Sequence, residues 1–159
     1  MFAFGNHDGI GPERFGPADD RLANRLGCRP GKHDLVALGA EAWAAGDAVR
    51  MFDSASDDVE WVNIVGMHWR GKAAVIEAHR TYLTTMFRGV PNTFRGIETL
   101  RPLGRDAVIA VVRWSVGQFS PPDGSVVPAS DDRMTLVFHR TASGLQLIHG
   151  ANVQINAIA

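Results

Sequence analysis

"EWVNIVGMHWRGKAAVIEAH", residues 60 to 79, decides the fold. β-Branched and aromatic residues over "DVEWVNIV" (58–65) mark a strand. "GMHWRG" then turns the chain, and from Lys72 to Phe87 the apolar residues recur at helical spacing, with Val75/Ile76, His79, Leu83 and Met86/Phe87 on one face. Two residues break the apolar pattern: Asn63, between Val62 and Ile64 of the strand, and His79, on the inner face of the helix. Either they are the polar features of a working pocket or they are core residues that have found partners. A buried amide without a partner would cost a few kcal/mol, so both readings require that each group be hydrogen-bonded.

Working outward, Asp34 is a fair N-cap for a helix in which Leu35, Leu38, Ala42 and Ala45 share a face until Gly46 stops it. "GDAVRMFDSAS" (46–56) predicts a short second helix with Val49 and Phe52 on its buried side. Beyond the long helix the chain reads as strands only: "TFRGIETLRPL", "DAVIAVVRWSVGQF", "RMTLVFHR" and "LQLIHGANVQI", joined by "GR", the loop "SPPDGSVVPASD" and the turn "TASG". Helix, helix, strand, helix and a strand meander is an α+β order with helices gathered on one face of a mostly antiparallel sheet. A strongly bent sheet wrapped around the long helix would make a conical barrel with a cavity; a flat sheet would pack in the ordinary way.

Residues 1–33 carry six glycines and three prolines without a sustained period, and read as an N-terminal arm ahead of a single domain over 34–159. Phe2, Phe4 and Phe15 in that arm leave two possibilities open, docking and simple disorder.

The 159 residues, 45% of them hydrophobic, suffice for one core without disulfides or metal. Sixteen Lys and Arg balance 17 Asp and Glu, for a net charge of -1, so no positive excess is available for nucleic acid or an anionic membrane. One cysteine, Cys28, rules out an internal disulfide and fits a reducing compartment. Apolar runs such as "AVIAVV" fall far short of the roughly 20 residues a membrane helix needs, and the N-terminus has no signal pattern, so a soluble, cytoplasmic protein is expected.

The segment "AWAAGDAVRMFDSASDDVEWVNIVGMHWRGKAAVIEAH" resembles the opening of the nuclear-transport-factor-2-like fold, and within it the SnoaL-like group of SgcJ/EcaC type. The resemblance rests on Ala45-Gly46-Asp47, on Trp61-Val62-Asn63, on Gly66, on Arg70 to Lys72, on His79 and on a closing strand with Asn152, and it covers about residues 34 to 155. It implies a conical α+β barrel with a mostly apolar pocket between helix and sheet, commonly a homodimer through the outer sheet face. Relatives of this kind include ketosteroid isomerases, polyketide cyclases, dehydratases and epoxide hydrolases as well as proteins that only bind ligands, so fold alone does not give function. By the same resemblance Asn63 stands where ketosteroid isomerases keep a catalytic carboxylate, and their oxyanion-hole hydroxyl and carboxylic acid fall near Gly39 and Leu136. Isomerisation by that route is disfavoured.

His79 is the remaining acid–base candidate, because an imidazole titrates near neutral pH, and Asn63 could orient a carbonyl or a water. Trp61, Trp114, Leu83, Met134, Leu136 and Phe138 are the expected pocket wall. His149 joins them by its parity with Leu145, Leu147 and Ala151, whereas His68 and His139 read as surface, and Arg113 and Ser115 as the outer face. No two of these histidines show close ligand spacing, so neither they nor Asp131 and Asp132 suggest a metal, and no phosphate loop or dinucleotide fingerprint is present. The expectation is therefore a cofactor-independent acid–base enzyme on a hydrophobic small molecule of polyketide-like or polycyclic kind: a cyclase, dehydratase or isomerase. A non-catalytic binding or accessory protein is the alternative.

Overall fold

The computed structural model describes residues 34–155, with side chains from residue 39. The chain divides into two units, Met1–Lys32 and His33–Ala159, and everything below concerns the second. The expectations for the arm, its phenylalanines and Cys28 lie outside the described residues. Helix α1 spans Asp34–Ala44, and α2, a single turn, spans Ala48–Met51. Strand β1 (Ala55–Val62), the short β2 (His68–Arg70) and helix α3 (Lys72–Thr84) follow, and then β3 (Asn92–Leu103), β4 (Ala107–Val116), β5 (Ser130–Thr141) and β6 (Gly144–Ile155). The fold is the α+β cone expected, with one six-stranded sheet in the order β2-β1-β6-β5-β4-β3. The β1–β6 pair is parallel; all other neighbours are antiparallel.

Helices α2 and α3 are fixed at their starts by polar contacts. Asp47 caps α2 by accepting from the backbone N–H of Arg50 at 3.0 Å, which supplies a partner for one of the N–H groups a helix start leaves free. Lys72 Nζ donates to the carbonyls of Asp53 and Ala55, at 2.9 and 3.2 Å, and so ties the first turn of α3 to the entry of β1. Val75, His79 and Leu83 are the buried stripe of α3, as the helical spacing requires. Gly71, just before this helix, has φ +85°, a conformation that side chains rarely adopt.

Several expectations are corrected: the long helix ends at Thr84 and not at Phe87, β4 ends at Val116 and not at Phe119, the turn "GMHWRG" contains β2, and Val49, expected on the buried side of the second helix, is 52% exposed because that helix is a single turn. β1 ends at Val62, so Asn63 belongs to the turn into β2. β5 begins at Ser130, three residues before the apolar run at "RMTLVFHR", because Ser130, Asp131 and Asp132 pair in register with Val116, Ser115 and Trp114 of β4. Inner and outer faces then alternate along β5: Asp132, Leu136 and Phe138 are buried, and Met134 half-buried. Arg113 and Ser115 lie on the outer face with Asp131, as expected; Arg113 makes a 2.5 Å ion pair with it and Ser115 donates to it.

The core joins Phe52, Val59, Trp61 and Val75 to Ala110, Val112, Trp114, Leu136, Phe138 and Leu147 of the sheet. Trp61 lies over Gly150, its Cα partner on β6, so closely that a Cβ built on Gly150 would stand 2.3 Å from Cζ3 of the indole. Gly150→Ala must therefore push the Trp61 ring out of its seat, and overpacking of this kind costs about 1–3 kcal/mol. Urea unfolding should show that loss as a lower midpoint; an unchanged midpoint would mean that the ring has room to move.

Candidate active site

A cavity of about 540 Å³ opens between the inner face of the sheet and the helices. Trp61, Leu83, Trp114, Met134, Leu136 and Phe138, the wall read from sequence, all line it, and so do His79, Asn63, Gly39 and Phe52. His149 does not. In β6 the pairing shifts between Val137, opposite His149, and Phe138, opposite Leu147, which leaves Ile148 as an extra residue. Such a bulge reverses the inward–outward alternation beyond it. The parity that placed His149 beside Leu147 therefore fails: it stands on the outer face opposite Glu60, and Gly150, Asn152 and Gln154 turn inward instead.

His79 is buried, 9% exposed, and its Nδ1 lies 2.8 Å from the carbonyl of Val75 one turn earlier. A carbonyl only accepts, so Nδ1 carries the proton and neutral His79 presents Nε2 as an acceptor. Phe52, Trp61 and Trp69 surround the ring edge-to-face, with centroids at 4.6, 5.3 and 6.1 Å. Burial among these rings lowers its pKa from 6.5 to about 4, against the opposing pull of the Val75 carbonyl. The expected titration near neutral pH is thus corrected: His79 is an uncharged acceptor there.

Asn63 has turned from strand residue to hairpin clasp. Its Oδ1 accepts from the N–H groups of Val65 and Met67, at 3.1 and 2.9 Å, and its own N–H donates to the Met67 carbonyl at 3.0 Å. The acceptor end of the amide is committed to the rim. His68 pairs with Glu60 at 3.1 Å and His139 is exposed on the outer face, both away from the cavity. Among the described residues no group of three His, Cys, Asp or Glu could hold a metal ion.

The residue that sequence reasoning passed over is Asp132. It is 3% exposed, lines the cavity, and accepts from Asn152 Nδ2 at 3.0 Å and from Ser130 Oγ at 3.3 Å. Burial raises its pKa; the hydrogen bonds from Asn152 and Ser130 act the other way, and the charge of neighbouring Asp131 adds to the rise. The available signal was the alternation Asp132, Met134, Leu136, Phe138, which becomes visible once the strand is extended back through Asp132. Around it, Trp114 Nε1, Asn92 Oδ1 and Asn152 Oδ1 are buried without a hydrogen-bond partner, although all three residues line the cavity.

No family model matches the chain, and no curated protein sequence matches it. Solved structures do. An uncharacterized protein with a cystatin-like fold from Caulobacter vibrioides is 31% identical with a TM-score of 0.74, over 79% of this chain and 88% of that one. A nuclear-transport-factor-2-like protein with a cystatin-like fold from Novosphingobium aromaticivorans, 19% identical with a TM-score of 0.65, covers 94% of this chain and 95% of its own. A ketosteroid isomerase-like protein from Erwinia carotovora atroseptica shares 14% identity with a TM-score of 0.61, over 79% and 94%. The chain belongs with the 31%-identical Caulobacter vibrioides protein to the proteins of cystatin-like fold, and it shares that fold with nuclear-transport-factor-2-like structures of lower identity, the fold that the resemblance implied.

The displaced pKa of His79 has a definite sign in stability. Its value is lower in the folded chain (about 4) than the ordinary 6.5, so its contribution is complete above 6.5 and is lost as pH falls through that window, about 3 kcal/mol in all. Asp132, raised on folding, acts in the opposite sense, so the comparison is with His79→Phe. Denaturation across this pH range should show a steeper acid-side loss in the parent than in the variant; parallel curves would mean that the imidazole titrates normally.

Proposed function

We propose that the chain binds a hydrophobic small molecule in the cone and moves a proton on it, with Asp132 as the acid–base group and His79 as a neutral hydrogen-bond acceptor. The observation that carries this reading is a buried carboxyl of raised pKa at the wall of a mostly apolar cavity of about 540 Å³. Such a carboxyl sits nearer to working pH than a solvated one and can both give and take a proton. Removing a proton beside a carbonyl and returning it elsewhere isomerises or cyclises a ligand; protonating a hydroxyl while a carbon proton is taken releases water. Each step balances without an added oxidant or reductant, and apolar walls strengthen every polar contact formed as charge develops. Asn63 serves the same site indirectly, by holding the β1–β2 rim.

A carrier or accessory role is the second reading, favoured by the amide at position 63 where isomerase relatives keep a carboxylate. The two separate experimentally. Native mass spectrometry of protein from its own host, followed by identification of the released molecule, supplies the compound to assay. Asp132→Asn, nearly the same shape, should retain binding and lose turnover by about 10²-fold or more. Turnover unchanged in that variant would remove Asp132 from the chemistry, and binding without turnover in the parent would establish the carrier reading.

The outer sheet face is the surface we assign to a second copy of the chain. Val111, Thr135 and Ala151 lie side by side across β4, β5 and β6, with Ile109 and Val137 beside them and Val153 59% exposed at the margin. Val111→Asp should shift sedimentation from dimer to monomer, and a parent already monomeric at working concentration would refute the assignment.

A further inference from the structure

Of the described residues that line the cavity, only Val65 and Met67 are exposed, at 73% and 47%, so the cavity meets solvent beside the β1–β2 hairpin. Met67 is held there at three points. Its N–H donates to Asn63 Oδ1 at 2.9 Å and its carbonyl accepts from the Asn63 N–H at 3.0 Å, which fixes the backbone of the turn. Its side chain crosses to α3, where Sδ accepts from the hydroxyl of Tyr82 at 3.2 Å. Tyr82 lines the cavity too, and packs edge-to-face with Trp69 and Phe87, at centroid distances of 5.9 and 6.4 Å. The thioether thus bridges hairpin and helix at the edge of the opening. Met51, Met86 and Met134 line the same cavity but are half-buried, which leaves Met67 as the one exposed methionine among the described residues.

From this geometry we infer that Met67 is a reversible oxidation site at the opening of the cavity, and that its sulfoxide, held by Tyr82, obstructs the entry of apolar ligands. In the step, sulfur gives two electrons to hydrogen peroxide: the O–O bond breaks, an S–O bond forms, and the other oxygen leaves as water. Methionine sulfoxide is polar and chiral, and sulfoxide reductases return it to the thioether. Thioether sulfur is a weak acceptor, so the phenol already directed at Sδ gains a stronger one in the sulfoxide oxygen. Where the thioether offers an apolar surface beside Val65, the sulfoxide sets a hydrated dipole that a hydrophobic ligand must strip of water in order to pass. The oxidation site rests on the hairpin geometry alone; its effect on uptake rests on the reading of the cavity as a ligand site.

Dilute hydrogen peroxide on the full chain, followed by three readouts, tests this. Peptide mass spectrometry should find oxygen added at Met67 about tenfold faster than at Met51, Met86 or Met134, since oxidation follows exposure. Equal rates, or another of these methionines first, would overturn the site. Tyr82 is the chain's one tyrosine, so its ¹³Cζ resonance is a single signal, expected to move as Met67 is oxidised and to stay in place when Met67→Leu is treated. A signal that does not move in the parent would overturn the hold by the phenol. Nile red, a neutral apolar dye, should bind the oxidised parent about fivefold more weakly, the scale of one polar group set against an apolar contact. Methionine sulfoxide reductase should restore that affinity, and treated and untreated Met67→Leu should bind alike, although Cys28 is still there to be oxidised. Unchanged affinity of the oxidised parent would overturn the obstruction. A parent that binds no Nile red before treatment would sink the cavity reading and the obstruction together, while the mass and resonance readouts still decide the site.

Discussion

The extra residue in β6 is the constraint on which the rest of the site depends. With Ile148 unpaired opposite β5, every later residue of the strand changes face. Gly150 then meets Trp61, which its missing side chain allows to approach the strand this closely. Asn152 comes inward to hold Asp132, and Gln154 follows it to the cavity wall. Without the bulge this run of β6 would offer His149, Ala151 and Val153 to the interior, and the carboxyl of Asp132 would lose the hydrogen bond it accepts from Asn152 at 3.0 Å. The backbone irregularity thus determines the chemistry of the pocket more than any single side chain does.

Burial acts on the two titratable groups of the cavity in opposite numerical directions and with one physical result. The imidazole of His79 is driven down and the carboxyl of Asp132 is driven up, because in both cases the charged form is the one that apolar surroundings disfavour. The interior is a space whose apolar, aromatic walls disfavour charge. Outside, the sheet has the contrary character: Arg113 pairs with Asp131 across neighbouring strands, and Arg133 of β5 reaches over β4 to Glu98 of β3, each ion pair at 2.5 Å. Exposed pairs of this kind contribute little stability each.

Much of the fold was legible in sequence because it rests on periodicity. The stripe Val75, His79, Leu83 and the alternation Val108, Ala110, Val112, Trp114 are local patterns that the burial of those residues reproduces. The wall of the cavity followed from the same alternation. What was not legible depends on pairing. No local signal in "LQLIHGANVQI" announces an unpaired Ile148, since every residue there is compatible with a regular strand, and so His149 was assigned to the wrong face. Asp132 was overlooked for a related reason: polar residues after a Pro-rich loop read as its continuation, and only registry with Ser115 and Trp114 makes them strand. Asn63 lay on the boundary between the two kinds of information, inside the cavity lining as expected but with its carbonyl oxygen claimed by a turn.

The central claim is that a buried carboxyl, not the histidine, is the proton-active group of this cavity. It is tested most directly by a ¹³C NMR titration of the aspartate side-chain carboxyls, with the Asp132 resonance assigned by its absence from Asp132→Asn. A midpoint clearly above the ordinary 3.8 is the expected result, since burial is the largest influence on this group. A midpoint at or below that value would show that the carboxyl is ionised and well solvated in the folded chain, and would contradict the assignment of Asp132 to acid–base work.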